Sequence, residues 1–393
     1  MAKRSRSILF LTSCYDVWGG SEELWSGAAV ELHKRGHRVL CSRSKRGGDW
    51  RKHPRWEKLR AQGLEIGGFT VPMLLRAVPD AVLLFWKPLA FFLYGLGNRW
   101  LCFRLRRLRP DLVVIAQGNT YDAMYSVELP LIAHQAAKPF VLVCQKNTET
   151  EWPNDDLRER YRGHFSRAEK IYFVSEHNLD VARMQLGLPL AHGEVLRNPF
   201  CVATHEPLPW PPAQDGILRL ACVARLYADE KGQDILLQVL SRPKWRERPV
   251  EVSFYGSGSH AAGLEGMAEF FGLKNVRFRG FSDDIATVWR DHHALVLPSR
   301  AEGLPLAQVE AMICGRVPIV CPAGGAGEIL EDNVTGFVAS ASTVDALDEA
   351  MERAWARRDE WAGIGRKASE SVWRYFPRDP CAAFADKLEA LLC

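Results

Sequence analysis

The sequence predicts an α/β protein made of two doubly wound parallel sheets. Short, continuously apolar runs alternate with helical patterns along the chain, which is how strands covered on both faces read. A proline-dense, aperiodic stretch, "NPFCVATHEPLPWPPAQDG" at 198–216, then divides the chain into halves of similar size. The length of 393 residues agrees with two or three domains.

Taken in order, the first half offers candidate strands at 8–14, 39–42, 112–116, 140–144 and 170–174, with helical patterns at 22–35 and 81–108. The second offers strands at 218–224, 250–255, 276–278, 294–297 and 317–320, with helical patterns at 233–240, 305–313 and 343–356. A last helix, from about Pro380 to Leu392, is compatible with either half. The domains expected are 1–200, 201–376 and a C-terminal helix at 377–393 crossing back to the first. Sheets of this kind take ligands at the carboxyl ends of their strands, so two of them facing across a cleft would bind there.

Composition narrows the function. Apolar residues at 47% and charged residues at 25% are an ordinary globular balance, and a net charge of +4 does not suggest a nucleic-acid binder. Ten cysteines lack CxxC spacing and several lie inside apolar runs, so they read as reduced core thiols of a cytoplasmic protein, without structural zinc. The basic start "MAKRSRSILFLTSCY" resembles an export signal only superficially. Its apolar run, Ile8 to Leu11, is too short and reads as the first strand. No stretch reaches the roughly 18 apolar residues of a spanning helix.

The second half carries the chemistry. Strand 294–297 runs into "PSRAEGLPLAQVEAM", where Gly303 permits a tight approach and Pro305 suits the first helical position. The start of that helix is a seat for a phosphate-type anion. Glu302 and Glu310, eight positions apart, would flank the seat without competing for it. A carboxylate accepts two hydrogen bonds in one plane, which suits paired sugar hydroxyls. Glu310 is expected on a ribose and Glu302, nearer the mouth, on a reacting sugar. In "VARLYADEKGQD", Arg225 and Lys231 sit between a strand end and the next helix, as cations for a diphosphate. The order Lys-Gly excludes a GxxxxGK phosphate loop. "FYGSGS" adds Gly256 and Gly258 at another strand end.

These segments, with "VRFRGF" and "GGAGEILEDNVTGFV", resemble in order and spacing the family 4 retaining glycosyltransferases of the GT-B fold, over roughly 217–375. The first half is similar more loosely, through "GGSEELWSGAAVELHKRGHRV", "RPDLVV", "VSEHN" and "NP". The resemblance implies a nucleoside-diphosphate sugar donor, of UDP or GDP type, held by the second domain. Arg225 and Lys231 would grip the diphosphate, Glu310 the ribose and Glu302 the transferring sugar. Gly303 and Leu304 would meet phosphates or sugar, and Phe281 would lie by the base. It further implies retention of configuration and a hydroxyl acceptor: a glycan, a lipid-linked saccharide or a small molecule. No DxD stretch is present, which fits metal independence and no cofactor. Two other classes share the architecture, a nucleotide-sugar epimerase or isomerase and a binding protein without turnover.

In the first half, Gly19 and Gly20 of "WGGSEELW" would let backbone approach the donor phosphates or the acceptor, with Ser21 as helix N-cap. Where many relatives carry a histidine, "FVLVCQKNTETEW" offers Gln145 and Asn147 as candidate sugar contacts. His134, His164 and His177 read as ordinary polar residues. The run 82–110 joins apolar and aromatic residues to five arginines, Arg99, Arg104, Arg106, Arg107 and Arg109, and adds an expectation of peripheral contact with an anionic membrane.

Overall fold

The computed structural model describes residues 5–14, 17–43, 50–67, 69, 87–124, 129–212 and 216–392, with backbone alone at 87–95. The chain forms two compact units, Met1–Pro199 with Asp379–Cys393, and Phe200–Arg378.

The first unit holds seven parallel strands: β1 (Ser7–Thr12), β2 (Arg38–Arg43), β3 (Glu65–Ile66), β4 (Leu112–Asn119), β5 (Phe140–Lys146), β6 (Lys170–Phe173) and β7 (Gly193–Val195). Their order is β3-β2-β1-β4-β5-β6-β7. Strand β1 shows why the apolar runs fold this way. Ile8 and Phe10 join the core that contains Leu24 and Ala28 of helix Gly20–Lys34, whereas Leu9 and Leu11 join the core that contains Leu101 and Leu105 of helix Lys87–Leu108. Successive side chains enter opposite faces, so a strand covered on both sides has no polar position to spare. Each such side chain, once fully buried, contributes about 1.5–3 kcal/mol.

The last helix, Pro380–Ala390, belongs to this unit. Asp379 caps it, accepting the amide of Ala382 at 2.9 Å, and Pro380 fills its first position. Phe384, Ala385 and Leu388 complete the same core as Ile8 and Phe10. Its polar edge is tied down by Arg35, at 2.6 Å from Asp386 and 2.8 Å from Glu389, and by His37 at 2.9 Å from Glu389.

The second unit holds six parallel strands, β8 (Leu218–Val223), β9 (Val250–Tyr255), β10 (Val276–Gly280), β11 (Ala294–Leu297), β12 (Val317–Val320) and β13 (Phe337–Val338), in the order β10-β9-β8-β11-β12-β13. In both sheets the strand order reverses beside the first strand, between β1 and β4 and between β8 and β11. A crevice for a ligand opens outside the strand ends at such a point.

Strands β3, β7 and β13, of two or three residues, are absent from the sequence reading because so short a run carries no periodicity. The helix expected at 81–108 is seen over Lys87–Leu108, and residues 81–86 lie outside the described residues. The helix expected from Pro305 begins at Leu306, with Pro305 in extended backbone as its N-cap. Among the described residues no helix is long and apolar enough to cross a membrane, and the nine described cysteines are unpaired. Seven of those nine are buried as expected, but Cys201 is exposed.

Candidate active site

Four loops converge at the reversal of the second sheet. The loop after β8 and the loop after β9 touch main chain to main chain. A Cβ on Gly256 (φ +141) would fall 2.0 Å from the Ala224 carbonyl oxygen, and one on Gly258 2.3 Å from that of Leu226. Only glycine fits there. The short helix Ala228–Lys231 then ends at Gly232, whose φ of +63 would be strained in any other residue.

This geometry presents Lys231 to the loop that follows β11. Its ammonium lies 2.8 Å from Glu302 Oε1, with side-chain exposures of 14% and 11%. Ser299 Oγ donates to the same oxygen at 2.8 Å. Glu302 is therefore buried and neutralises one of the two cations. Arg225 is different. Its guanidinium is half exposed, 3.3 Å from Glu230 and 5.7 Å from the centre of the Tyr227 ring. Its carbonyl accepts from Gln233 Nε2 at 2.6 Å, which fixes the backbone and leaves the side chain outside.

Arg300 straps the two loops together, a role no sequence pattern announced. It makes a forked pair with Asp234, both contacts at 2.7 Å, and donates to the Ala228 carbonyl at 2.8 Å. The Arg300 and Ala301 amides both donate to the Glu230 carbonyl, at 2.7 and 3.0 Å. A fourth loop, 324–327, closes the set. Gly325 N donates to the Gly303 carbonyl at 2.7 Å, and Gln308 Nε2 donates to that of Ala326 at 2.7 Å. Leu304 is buried beneath, whereas Phe281, on the loop after β10, is 71% exposed.

Glu310 lies in the second turn of helix Leu306–Ile313 and is almost wholly buried. Its Oε1 accepts the backbone amide of Cys201 at 2.8 Å. Burial pushes the carboxyl up to about 7, and the Cys201 hydrogen bond only partly opposes this. The structure thus brings Lys231 and Glu302 together, sets Arg225 at the rim of the same loop, and places Glu310 one element deeper.

In the first unit, Gly19 rather than Ser21 is the N-cap of helix Gly20–Lys34. Ser21 is diverted because its hydroxyl donates to Glu22, which is fully buried and also receives the Thr12 hydroxyl at 2.6 Å. Burial pushes the Glu22 carboxyl up against those hydrogen bonds. Gln145 and Asn147 lie at and just past the end of β5, both buried. Gln145 Oε1 accepts from Asn198 Nδ2 at 2.6 Å, and Asn147 Oδ1 accepts the Thr148 amide at 3.1 Å. Their amide nitrogens are buried and find no partner among the described residues. Of the three histidines, His134 is exposed, His164 is buried and His177 faces Glu149 at 2.8 Å.

The sequence profile of the family described as glycosyl transferases group 1 matches residues 218–357, which hold every element of this loop set except Cys201. Anabaena HepE, solved in complex with UDP, superposes with a TM-score of 0.74 at 19% identity over 98% of this chain and 99% of that one. Residues 218–357 thus resemble the glycosyl transferases group 1 family, and the chain has the GT-B fold. A Rickettsia africae glycosyltransferase gives a TM-score of 0.75 at 15% identity, over 98% of both chains. In sequence, glycogen synthase 2 of Geobacter sulfurreducens is 33% identical over 40% of this chain and 34% of its own length. A GDP-mannose-dependent phosphatidylinositol monomannoside mannosyltransferase of Mycolicibacterium smegmatis is 31% identical over 40% of this chain and 45% of its own. The chain thus spans between a third and a half of the length of these two relatives.

Proposed function

We propose that this chain is a retaining glycosyltransferase that moves a sugar from a nucleoside-diphosphate donor to a hydroxyl of a glycan, a lipid-linked saccharide or a small molecule. The observation that carries the reading is the contact between Lys231 and Glu302 at the strand reversal, with the Arg225 guanidinium exposed beside it. The ligands of the relatives agree with it: HepE was solved with UDP and with UDP-glucose, and the mannosyltransferase is named for GDP-mannose.

In this reading the donor diphosphate draws Lys231 away from Glu302 and takes Arg225 as its second cation. Glu302, released, accepts hydrogen bonds from the transferring sugar. Glu310, one oxygen committed to Cys201, offers the other to the ribose. Gly303 and Leu304 supply main chain at the phosphates, and Phe281 lies by the base. In the first unit, Gly19, Gly20, Gln145 and Asn147 address donor or acceptor hydroxyls.

The bond from the anomeric carbon to the phosphate oxygen breaks, and a bond from the acceptor oxygen to that carbon forms on the same face. The acceptor proton passes to the departing diphosphate oxygen. Negative charge grows on the diphosphate as the bond breaks, and Arg225 and Lys231 stabilise it where it grows, so the chemistry asks for no metal.

A panel of UDP- and GDP-sugars, scored for nucleoside diphosphate release with the wild type, Glu302→Gln and Arg225→Ala, tests this. Release from one donor that both variants abolish supports it. Tight donor binding without release across varied acceptors moves the assignment to a binding protein, and a rearranged free sugar nucleotide moves it to an epimerase.

A further inference from the structure

We infer that one face of helix Lys87–Leu108 is a docking surface for an anionic phospholipid bilayer. The 22-residue helix contains Lys87, Arg99, Arg104, Arg106 and Arg107 and no aspartate or glutamate. Its inner face is fixed by Leu101 and Leu105, at 2% and 1% exposure, which pack into the core with β1 and β4. The opposite face carries Arg99, Phe103, Arg106 and Arg107, spaced so that all four share one side of the helix.

Phe103 is the informative residue. It is 60% exposed at the centre of that face, with an arginine one turn before it and two one turn after. Cations near a helix C-terminus have an ordinary reason to be there, the macrodipole. That reason covers Arg106 and Arg107 but neither Arg99, two turns earlier, nor an exposed phenyl ring among them. An aromatic ring inside a ring of guanidinium groups is what an acyl–headgroup boundary accommodates, the phenyl entering the apolar layer and the arginines meeting phosphates.

Two further observations fit this occupant. A groove of about 330 Å³ lies beside the ring, lined by Arg99, Cys102, Phe103, Arg106 and Gln135, with Arg106 Nη2 donating to the Gln135 carbonyl at 2.6 Å. Its charged lining is basic throughout, which matches a phosphate headgroup. Among the described residues no carboxylate pairs with Arg99, Arg106 or Arg107, so the charge faces outward uncompensated. Peripheral attachment of this kind does not depend on the glycosyl-transfer reading and would hold whichever donor the second unit binds.

The full-length chain is mixed with vesicles of phosphatidylcholine, with and without phosphatidylglycerol, and floated on a density gradient. The salt is about 0.1 M, where surface charge is felt over about 10 Å. The wild type is expected to float with the anionic vesicles only. Arg99→Glu/Arg107→Glu should lose at least about tenfold in bound fraction, each cation near the surface counting separately. Phe103→Ser should weaken binding without altering its salt dependence. These side chains are exposed, so thermal unfolding of the variants should match the wild type. Wild-type binding that ignores phosphatidylglycerol, or charge-reversed protein that floats as well as wild type, overturns the inference.

Discussion

Lys231 and Glu302 meet at 2.8 Å across the point where β8 and β11 part, and neither is exposed beyond 14% of its side chain. A pair so placed is costly to break from one side, because the survivor is left as a buried unpaired charge, at about 3–5 kcal/mol. Lys231→Met and Glu302→Leu alone should each destabilise the chain by an amount of that order in denaturant unfolding. The double variant should recover most of the loss. Donor turnover should recover in none of the three, falling about 10²–10³-fold or more, as when a preorganised charge at a leaving group is removed. A double variant that regains activity along with stability would reduce the pair to architecture.

Gly324 makes a sharper test of how the Glu302 loop is held. It has φ +54, and a Cβ there would lie 2.1 Å from the Glu302 carbonyl oxygen and 2.7 Å from that of Gly303. Both neighbours are backbone and cannot swing aside. Gly324→Ala should therefore cost about 1–2 kcal/mol in left-handed strain alone, and displace the loop that carries the carboxylate, with loss of turnover. Gly327→Ala is the control: nothing lies within 4 Å of its Cβ position. It should be neutral in both assays, and equal effects of the two substitutions would contradict the packing described for 324–327.

How much of this the sequence disclosed depends on distance along the chain. The two parallel sheets were legible because strands such as β11 and β12 are apolar at every position, a direct consequence of being covered twice. Candidate cations for an anion were legible where one short segment holds them, as with Arg225 and Lys231 around a strand end. What could not be read was which residues meet across loops. Glu302 on Lys231, Arg300 on Asp234 and the Cys201 amide on Glu310 each join segments far apart in sequence. Ser21 fell to a different cause: its preference for capping is real, but the buried Glu22 beside it is the stronger claimant for the hydroxyl.

Docking of the last helix is open to a volume test. Gly27, on helix Gly20–Lys34, lies so near Cys381 that a Cβ there would fall 2.3 Å from its sulfur and 2.9 Å from its Cβ. Gly27→Ala should push helix Pro380–Ala390 off the core and cost about 1–3 kcal/mol, as overpacking does. Adding Cys381→Gly clears both clashing atoms and should return part of that loss, less about 0.5–1 kcal/mol for a glycine inside a helix. If the second substitution only deepens the first, the close approach of the two helices is wrong.

Glu310 gives the chain a pH dependence whose sign is fixed by its surroundings. Burial raises its carboxyl from 4.5 to about 7 in the folded protein. Between those values the native state holds a proton that the unfolded chain has released, so stability must fall as pH rises through the window. The contribution is fully present below the unfolded value and gone above the folded one. Denaturant unfolding at pH 5.5 and pH 8 should show the wild type losing about 2 kcal/mol through this group. Glu310→Gln keeps an acceptor for the Cys201 amide and cannot ionise, so it should lack that component and be the more stable protein at pH 8. Parallel pH curves for the two proteins would mean that Glu310 is ionised in the fold at all these pH values. The same variant should weaken nucleotide binding if the ribose reading holds, because an amide presents one acceptor where the carboxylate presents two. Gains in stability and losses in affinity from one substitution would mark Glu310 as a residue kept for its ligand at a cost to the fold.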